Sequence, residues 1–393
     1  MINPLKNFNR ATITINTTED CNLRCKYCYE TCKKPNRNMD FQTAKKFIDL
    51  FLGCNGDLEK FTGVPNVGVL ENDVSGFVID FIGGDALINP KLLDEILTYL
   101  QYKLIMENHT WKNTWMISIS TNGTLFERKD VRDFCEKWKD IMSIGVSIDG
   151  CPEIHDKNRV FPNGKGSMET IKKWLPWLHT IQPYRETKST CNKDSIPYLF
   201  KSLKYMHEEL GLNHIYQNFI MENMGLTEDD IIELDKQFEF CVNYVLEHCD
   251  EMYWSMIDRA RFTNTINSSE AEEAICGAGN MLSLSIDGDI YPCFRWLPIS
   301  QNNSDEWKIG DINSGIIHQD KIMKIRNGSK RCNCTKDEKC FSCEFESCCS
   351  YCIAGCYNEN KDFIRTTHVC DIIKLQCKWA KYYWSEYEKR KND

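Results

Sequence analysis

No stretch of this chain approaches the ~20 consecutive apolar residues that a membrane-spanning helix requires, and Met1 to Arg10 carries charge without the apolar centre of a secretory signal. A soluble, cytoplasmic protein with no membrane partner is expected. There is no basic excess either: 48 Lys and Arg stand against 57 Asp and Glu, a formal net charge of -9. No overall field therefore draws the chain to nucleic acid, and none is expected as a partner. Internal repeats and low-complexity tracts are missing as well.

What is present in quantity is cysteine, 22 residues in 393. A chain of this length, 42% hydrophobic, can bury a large core without staples, and a reducing compartment keeps thiols free, so metal or redox chemistry explains the count better than disulfides. Four cysteines fall between Cys21 and Cys32 and twelve between Cys276 and Cys377, which implies two metal-bearing regions.

Between these regions, short β-branched stretches alternate with longer helical patterns, the mark of βα units around a parallel sheet. The expected strands are Ala11–Asn16, Gly76–Ile82, Thr114–Ser120, Ile144–Ile148, Thr187–Cys191 and His214–Phe219, too few for a full eight-stranded barrel. Asp40 is expected to cap a helix over Phe41–Leu52, Asn89 one running through Leu104, and Asp194 one running through Leu210. The segment 53–75 reads as an insertion, Met252–Glu270 as a connection, and Asp371–Arg390 as a closing helix.

Cys21-Asn-Leu-Arg-Cys25-Lys-Tyr-Cys28 follows the first strand directly, in the loop where a parallel α/β sheet places its ligands. Three thiolates within eight residues can hold three irons of a 4Fe-4S cube and leave the fourth open to a chelating small molecule. Zinc is the rival, although it usually takes four closed ligands or a Cys/His mixture and no His lies nearby.

With Tyr27 before the third cysteine, this run resembles the CxxxCxΦC motif of radical S-adenosylmethionine (SAM) enzymes. Other matches follow in family order: Gly83-Gly84-Asp85 resembles the Gly-Gly-Glu motif with Asp for Glu, then come Thr121-Asn122-Gly123, Ser147-Ile-Asp149-Gly150 and His155-Asp156-Lys-Asn-Arg159. The resemblance implies a partial (β/α)6 TIM-like barrel over residues 1–250. It implies that Cys21, Cys25 and Cys28 hold the cluster, that Tyr27 lies near the adenine of SAM, and that Gly83, Gly84 and Asp85 bind its amino group. Ser147 and Arg159 would contact its ribose and carboxylate, with Asn122 in the same site.

Cys276 and Cys293 flank what reads as a β-hairpin around an Asp-Gly turn, and Cys340, Cys343, Cys349, Cys352, Cys356, Cys370 and Cys377 follow. Residues 271–393, beyond a connection at 251–270, resemble the SPASM extension of radical SAM enzymes, which holds two auxiliary 4Fe-4S clusters; paired structural zinc sites are the alternative. By the family's interleaving, Cys276 and Cys293 with Cys352 (or Cys356) would hold the first cluster, with an open iron. Cys340, Cys343, Cys349 and Cys370 would hold the second. Cys332, Cys334, Cys348 and Cys377 are left unassigned.

The implied activity is generation of a 5′-deoxyadenosyl radical and modification of a ribosomally made precursor peptide, with thioether crosslinking the favoured outcome. A small electron donor such as flavodoxin or ferredoxin is the second implied partner. The alternatives are formylglycine formation in a sulfatase, peptide epimerisation, carbon–carbon crosslinking and a non-catalytic iron–sulfur or zinc scaffold. Sulfatase-maturating relatives carry an acidic residue where Phe294 follows Cys293 here.

Overall fold

The computed structural model describes residues 10–65, 75–182, 184–263, 276–330, 333, 340, 343–349 and 351–392. Cys332, Cys334, the segment 66–74 of the insertion and the stretch 264–275 lie outside them.

All six expected strands form: β1 Arg10–Asn16, β2 Gly76–Ile82, β3 Trp115–Thr121, β4 Met142–Ser147, β5 Glu186–Cys191 and β6 His214–Phe219. They pair in parallel in sequence order. On β5, Thr187, Ser189 and Cys191 are buried while Lys188 is exposed and Thr190 half-buried, so one face of the strand is packed and the other open. The apolar face packs under helices. Phe41–Leu52, for instance, buries Ala44, Phe47, Ile48, Phe51 and Leu52 on one stripe, each large side chain stabilising by about 1.5–3 kcal/mol.

The capping expectations hold at Asp40, whose carboxylate accepts from the Gln42 N–H, and at Asn89, which caps Pro90–Met106 through the Leu92 N–H at 3.2 Å. The third differs. Asn192, not Asp194, makes the cap, exchanging hydrogen bonds with Ser195, and the run breaks into a 3-10 turn (Lys193–Tyr198, containing Pro197), an α-helix (Leu199–Lys204) and a π-turn (Tyr205–Glu209). The insertion contains a short helix, Leu58–Thr62, capped by Asp57.

The sheet is larger than six strands. β7, Tyr253–Trp254, adds in parallel to β6 from within the expected connection. On the opposite edge, β8 (Met281–Leu284) pairs in parallel with β1, and β9 (Asp289–Tyr291), β10 (Gly310–Asp311) and β11 (Gly315–Ile316) continue antiparallel. The order is β11-β10-β9-β8-β1-β2-β3-β4-β5-β6-β7. The cysteine-rich hairpin thus extends the main sheet, and Leu282, Leu284 and Ile290 belong to the same core as β1 and β2. A second, smaller core packs Trp296, Trp307, Tyr357 and Phe363 around Cys293 and Cys356. The closing helix runs from Cys370 to Asn392. No helix among the described residues is long and apolar enough to cross a membrane.

Candidate active site

The loop that leaves β1 is held from two sides. On one, the Gly84 and Asp85 N–H groups donate to the Thr18 and Asp20 carbonyls, both at 2.9 Å. This approach requires glycine: a Cβ on Gly84 would stand 2.0 Å from the Asp20 oxygen and 2.8 Å from the Cys21 Cβ, and one on Gly83, at φ +157°, 2.4 Å from the Thr18 oxygen. On the other side, the Arg24 and Lys26 N–H groups donate to the carbonyls of Val160 (2.7 Å) and Asn158 (3.0 Å). The cysteine loop is therefore strapped to the segment that ends in Arg159.

Within this frame, Asn122 Nδ2 lies 3.9 Å from Cys21 Sγ and donates to Asn22 Oδ1 at 2.8 Å. Asp85 is 2% exposed, and its carboxylate accepts from the Asn122 N–H (2.8 Å), the Leu87 N–H (3.1 Å) and the Thr121 hydroxyl (2.9 Å). Its side chain braces the turn that presents Asn122. Burial raises its pKa, against the pull of those donors.

The Tyr27 hydroxyl donates to Asp149 Oδ2, and Arg159 Nε donates to Asp149 Oδ1 at 3.0 Å. The Arg159 guanidinium lies 5.4 Å from the Tyr27 ring centre, with Nη1 4.0 Å from Cys25 Sγ. Burial works against the Arg159 charge, but Asp149, Tyr27 and Cys25 together hold its pKa above the usual value. Ser147 is half-buried at the end of β4, in register with Lys188 of β5. His155 is fully buried, accepts from the Asp149 N–H and faces Ser167 Oγ at 2.9 Å; burial pushes its pKa down to about 4 and leaves the ring neutral. Burial pushes the Cys21 thiol up to about 12, opposed by Lys33, and raises Cys25, opposed by Arg159.

The later cysteines fall into two sets. The Cys293 thiol is raised by burial and then by the charges of Cys276 and Cys352, its neighbours. Cys352 immediately precedes the helix Ile353–Asn360, whereas Cys356 lies inside that helix and turns to Thr366 Oγ1 at 3.8 Å. Cys370, at the start of the closing helix, interacts with Cys340 and Cys343, and Cys349 with Cys340 and Cys370. Cys348 and Cys377 hydrogen-bond to each other. Among the described residues, no three His, Cys, Asp or Glu side chains form a group that could hold a single metal ion. A donor set made of thiols alone, three, three and four, is that of iron–sulfur clusters.

No family model matches the chain. An uncharacterised protein of Methanocaldococcus jannaschii is 33% identical over 196 residues, covering 49% of this chain and 57% of that protein, so the chain matches little more than half of that relative. A cysteine-type anaerobic sulfatase-maturating enzyme of Clostridium novyi is 22% identical over 377 residues (88% of this chain, 87% of the enzyme). The subtilosin biosynthesis protein AlbA of Bacillus subtilis is 24% identical over 382 residues (94% and 70%). Its homologues are radical SAM enzymes. The radical SAM fold extends to solved structures: anSMEcpe with bound AdoMet and a peptide superposes with TM-score 0.70 at 16% identity, covering 96% of this chain and 99% of that one. Streptococcus suis SuiB bound to its precursor peptide gives 0.56 at 14% (91% and 75%).

Against this radical SAM background, the residues that motif spacing does not reveal are the ones that brace the site. Asn22, between two motif positions, links Asn122 to Thr124 Oγ1 (2.7 Å). Lys33 interacts with Cys21, Cys28 and Glu30 from beyond the motif. Arg295 lies 4.6 Å over the Tyr29 ring and pairs with Glu222 at 2.8 Å. Asp149 was quoted within a motif, but its central place between Tyr27 and Arg159 depends on strand packing that no spacing encodes.

Proposed function

We propose that this protein is a radical SAM peptide maturase that forms a thioether crosslink in a ribosomally made, cysteine-containing peptide. The observation that carries the reading is the grouping of the later cysteines into a set of three (Cys276, Cys293, Cys352) and a set of four (Cys340, Cys343, Cys349, Cys370). Three thiolates leave one iron of a cube open, where a substrate cysteine can bind; four close it. Bound together, the first cluster and SAM supply a carbon radical strong enough to take hydrogen from an unactivated carbon.

The chain's own groups have these tasks. Cys21, Cys25 and Cys28 anchor the first cluster. The backbone of Gly83 and Gly84 receives the amino group of SAM, and Asp85 acts on it indirectly, by fixing Asn122. Ser147 and Arg159 take the ribose and carboxylate. Tyr27, fixed by Asp149, lines the adenine. Division into a barrel (1–250) and a SPASM-type unit (271–393), and an electron donor of the flavodoxin or ferredoxin type, belong to the same reading.

The similarity to sulfatase-maturating enzymes supports a second reading, formylglycine formation, against which stands Phe294 next to Cys293 in place of an acid. Anaerobically reconstituted protein, given SAM, dithionite and the cysteine-containing peptide encoded beside its gene, should yield a product two hydrogens lighter whose cysteine no longer reacts with iodoacetamide. An aldehyde on a sulfatase-type peptide would favour the second reading. Cys276→Ala/Cys293→Ala should still cleave SAM but leave the peptide unmodified; full modification by a folded double variant refutes the role given to this set.

A further inference from the structure

Each of the three cysteine sets has an arginine beside it, and all three arginines are held in the same way. Arg159, next to Cys25, is anchored on Asp149 at 3.0 Å and lies 5.4 Å from the Tyr27 ring. Arg295, which interacts with Cys352, is anchored on Glu222 at 2.8 Å and lies 4.6 Å from the Tyr29 ring. Arg365, which interacts with Cys349, is anchored on Glu346 at 3.2 Å and lies 4.9 Å from the Tyr351 ring.

No sequence repeat produces this. Arg159 follows a helix, Arg295 sits in a 3-10 turn and Arg365 in a loop, and the anchors come from different parts of the fold. Arg159 and Arg365 are 8% and 5% exposed. Burying a guanidinium is unfavourable unless something nearby needs its charge, and the carboxylate with the aromatic face fixes both the position and the plane of the fork. For Arg159 the division is explicit: Nε faces the carboxylate while Nη1 faces the sulfur.

We propose that Arg159, Arg295 and Arg365 each set the reduction potential of the cluster held by the neighbouring cysteines, raising it, and so hold three one-electron centres at independently tuned potentials. This rests on the reading of the three sets as 4Fe-4S sites. When a cluster takes up one electron from an external donor, its charge becomes more negative by one; a fixed cation beside a ligating sulfur stabilises the reduced form, and the anchoring carboxylate opposes it from further away. Asp149 is fully buried, so its opposing charge is the least screened of the three; Glu222, half exposed, is the most screened.

The test is a potentiometric titration of the full-length, anaerobically reconstituted protein, followed by electron paramagnetic resonance. Iron and sulfide content comes first: a wild-type protein that holds no clusters refutes the underlying reading, independently of the arginines. Given clusters, Arg159→Met, Arg295→Met and Arg365→Met should each move one potential to more negative values and leave the other two in place, and the Lys variants should restore most of the shift. Asp149→Asn, Glu222→Gln and Glu346→Gln should move the same potentials the other way, Asp149→Asn most. If a Met variant fails to assemble its cluster, the Lys and carboxylate variants still give the sign. Unchanged potentials, three potentials moving together, or the same direction for arginine and carboxylate variants would overturn the proposal, since loosened packing has no reason to reverse sign.

Discussion

Asp85 stands where the family resemblance calls for a glutamate that touches the SAM amino group, yet its carboxylate already accepts from the Asn122 N–H, the Leu87 N–H and the Thr121 hydroxyl. Asp85→Ala strands those buried donors. A hydrogen bond to a charged group contributes about 1.5–3 kcal/mol net, and the Thr121 hydroxyl can turn to another acceptor, so two backbone donors dominate. Releasing the carboxylate from its buried position returns part of the loss, since burial disfavours its charge. The expected net destabilisation is about 2–4 kcal/mol. Urea unfolding of the apoprotein should show it as a lower midpoint at unchanged slope. Hydrogen–deuterium exchange should localise it to the turns at 83–88 and 121–124. Asp85→Glu, which adds a methylene to a full site, should cost about 1–3 kcal/mol rather than improve SAM binding. An apoprotein as stable as wild type, with SAM affinity alone reduced, would show that Asp85 is a direct SAM contact and sink this reasoning.

Cys21→Ala, Cys25→Ala and Cys28→Ala should each abolish 5′-deoxyadenosine formation from SAM; wild-type yield from the triple variant would refute the first-cluster assignment. Gly84→Ala, whose Cβ would stand 2.0 Å from the Asp20 oxygen, should displace the Cys21 loop and lower iron occupancy of that set alone, seen as the loss of one cluster's signal with the others intact. His155 has its folded pKa depressed by burial to about 4, below the unfolded value near 6.5, so the neutral ring's contribution is fully present above about pH 6.5 and is lost as pH falls toward 4. The shift corresponds to about 3 kcal/mol, and His155→Gln should flatten the apoprotein's stability profile between these pH values; an unchanged profile would exclude His155 as its source.

The parallel strands, the helices at Asp40 and Asn89, and the order of the site motifs were legible because each is a local pattern: alternation, a cap and a periodic apolar stripe, or a fixed spacing. β7 was not, because two residues, Tyr253 and Trp254, carry no period. The helix expected from Asp194 failed on a competition between neighbours, since Asn192 found Ser195 three residues on and Pro197 cut the run. Asp85 was legible as a motif position but not in its contacts, because Thr121 and Asn122 approach it only through the pairing of β2 with β3. Arg295 and Arg365 carry no sequence signal at all; their anchors, Glu222 and Glu346, are set by the fold.

The junction of β8 with β1 matters most for how the cysteine sets relate. β1 leads at its C-terminal end into the Cys21 loop, and β8 pairs with the same strand through Thr12↔Met281 to Ile15↔Leu284 before turning, by way of Gly288 at φ +91°, into the strand that leads to Cys293. A connection through a flexible linker would let the two regions separate and leave any transfer between them to chance encounter. Here they share ladder hydrogen bonds and one core, with Leu282 and Leu284 packed in the same cluster as Ile13 and Ile15. Arg295 reinforces the junction from the side, reaching Tyr29 beside Cys28 and Glu222 beyond β6 while it neighbours Cys352. The distance between the first cysteine set and the Cys276–Cys293–Cys352 set is therefore a property of the sheet. A substrate cysteine bound at the second set would be presented to the first at fixed range, which is what a reaction between a carbon radical and a sulfur ligand requires.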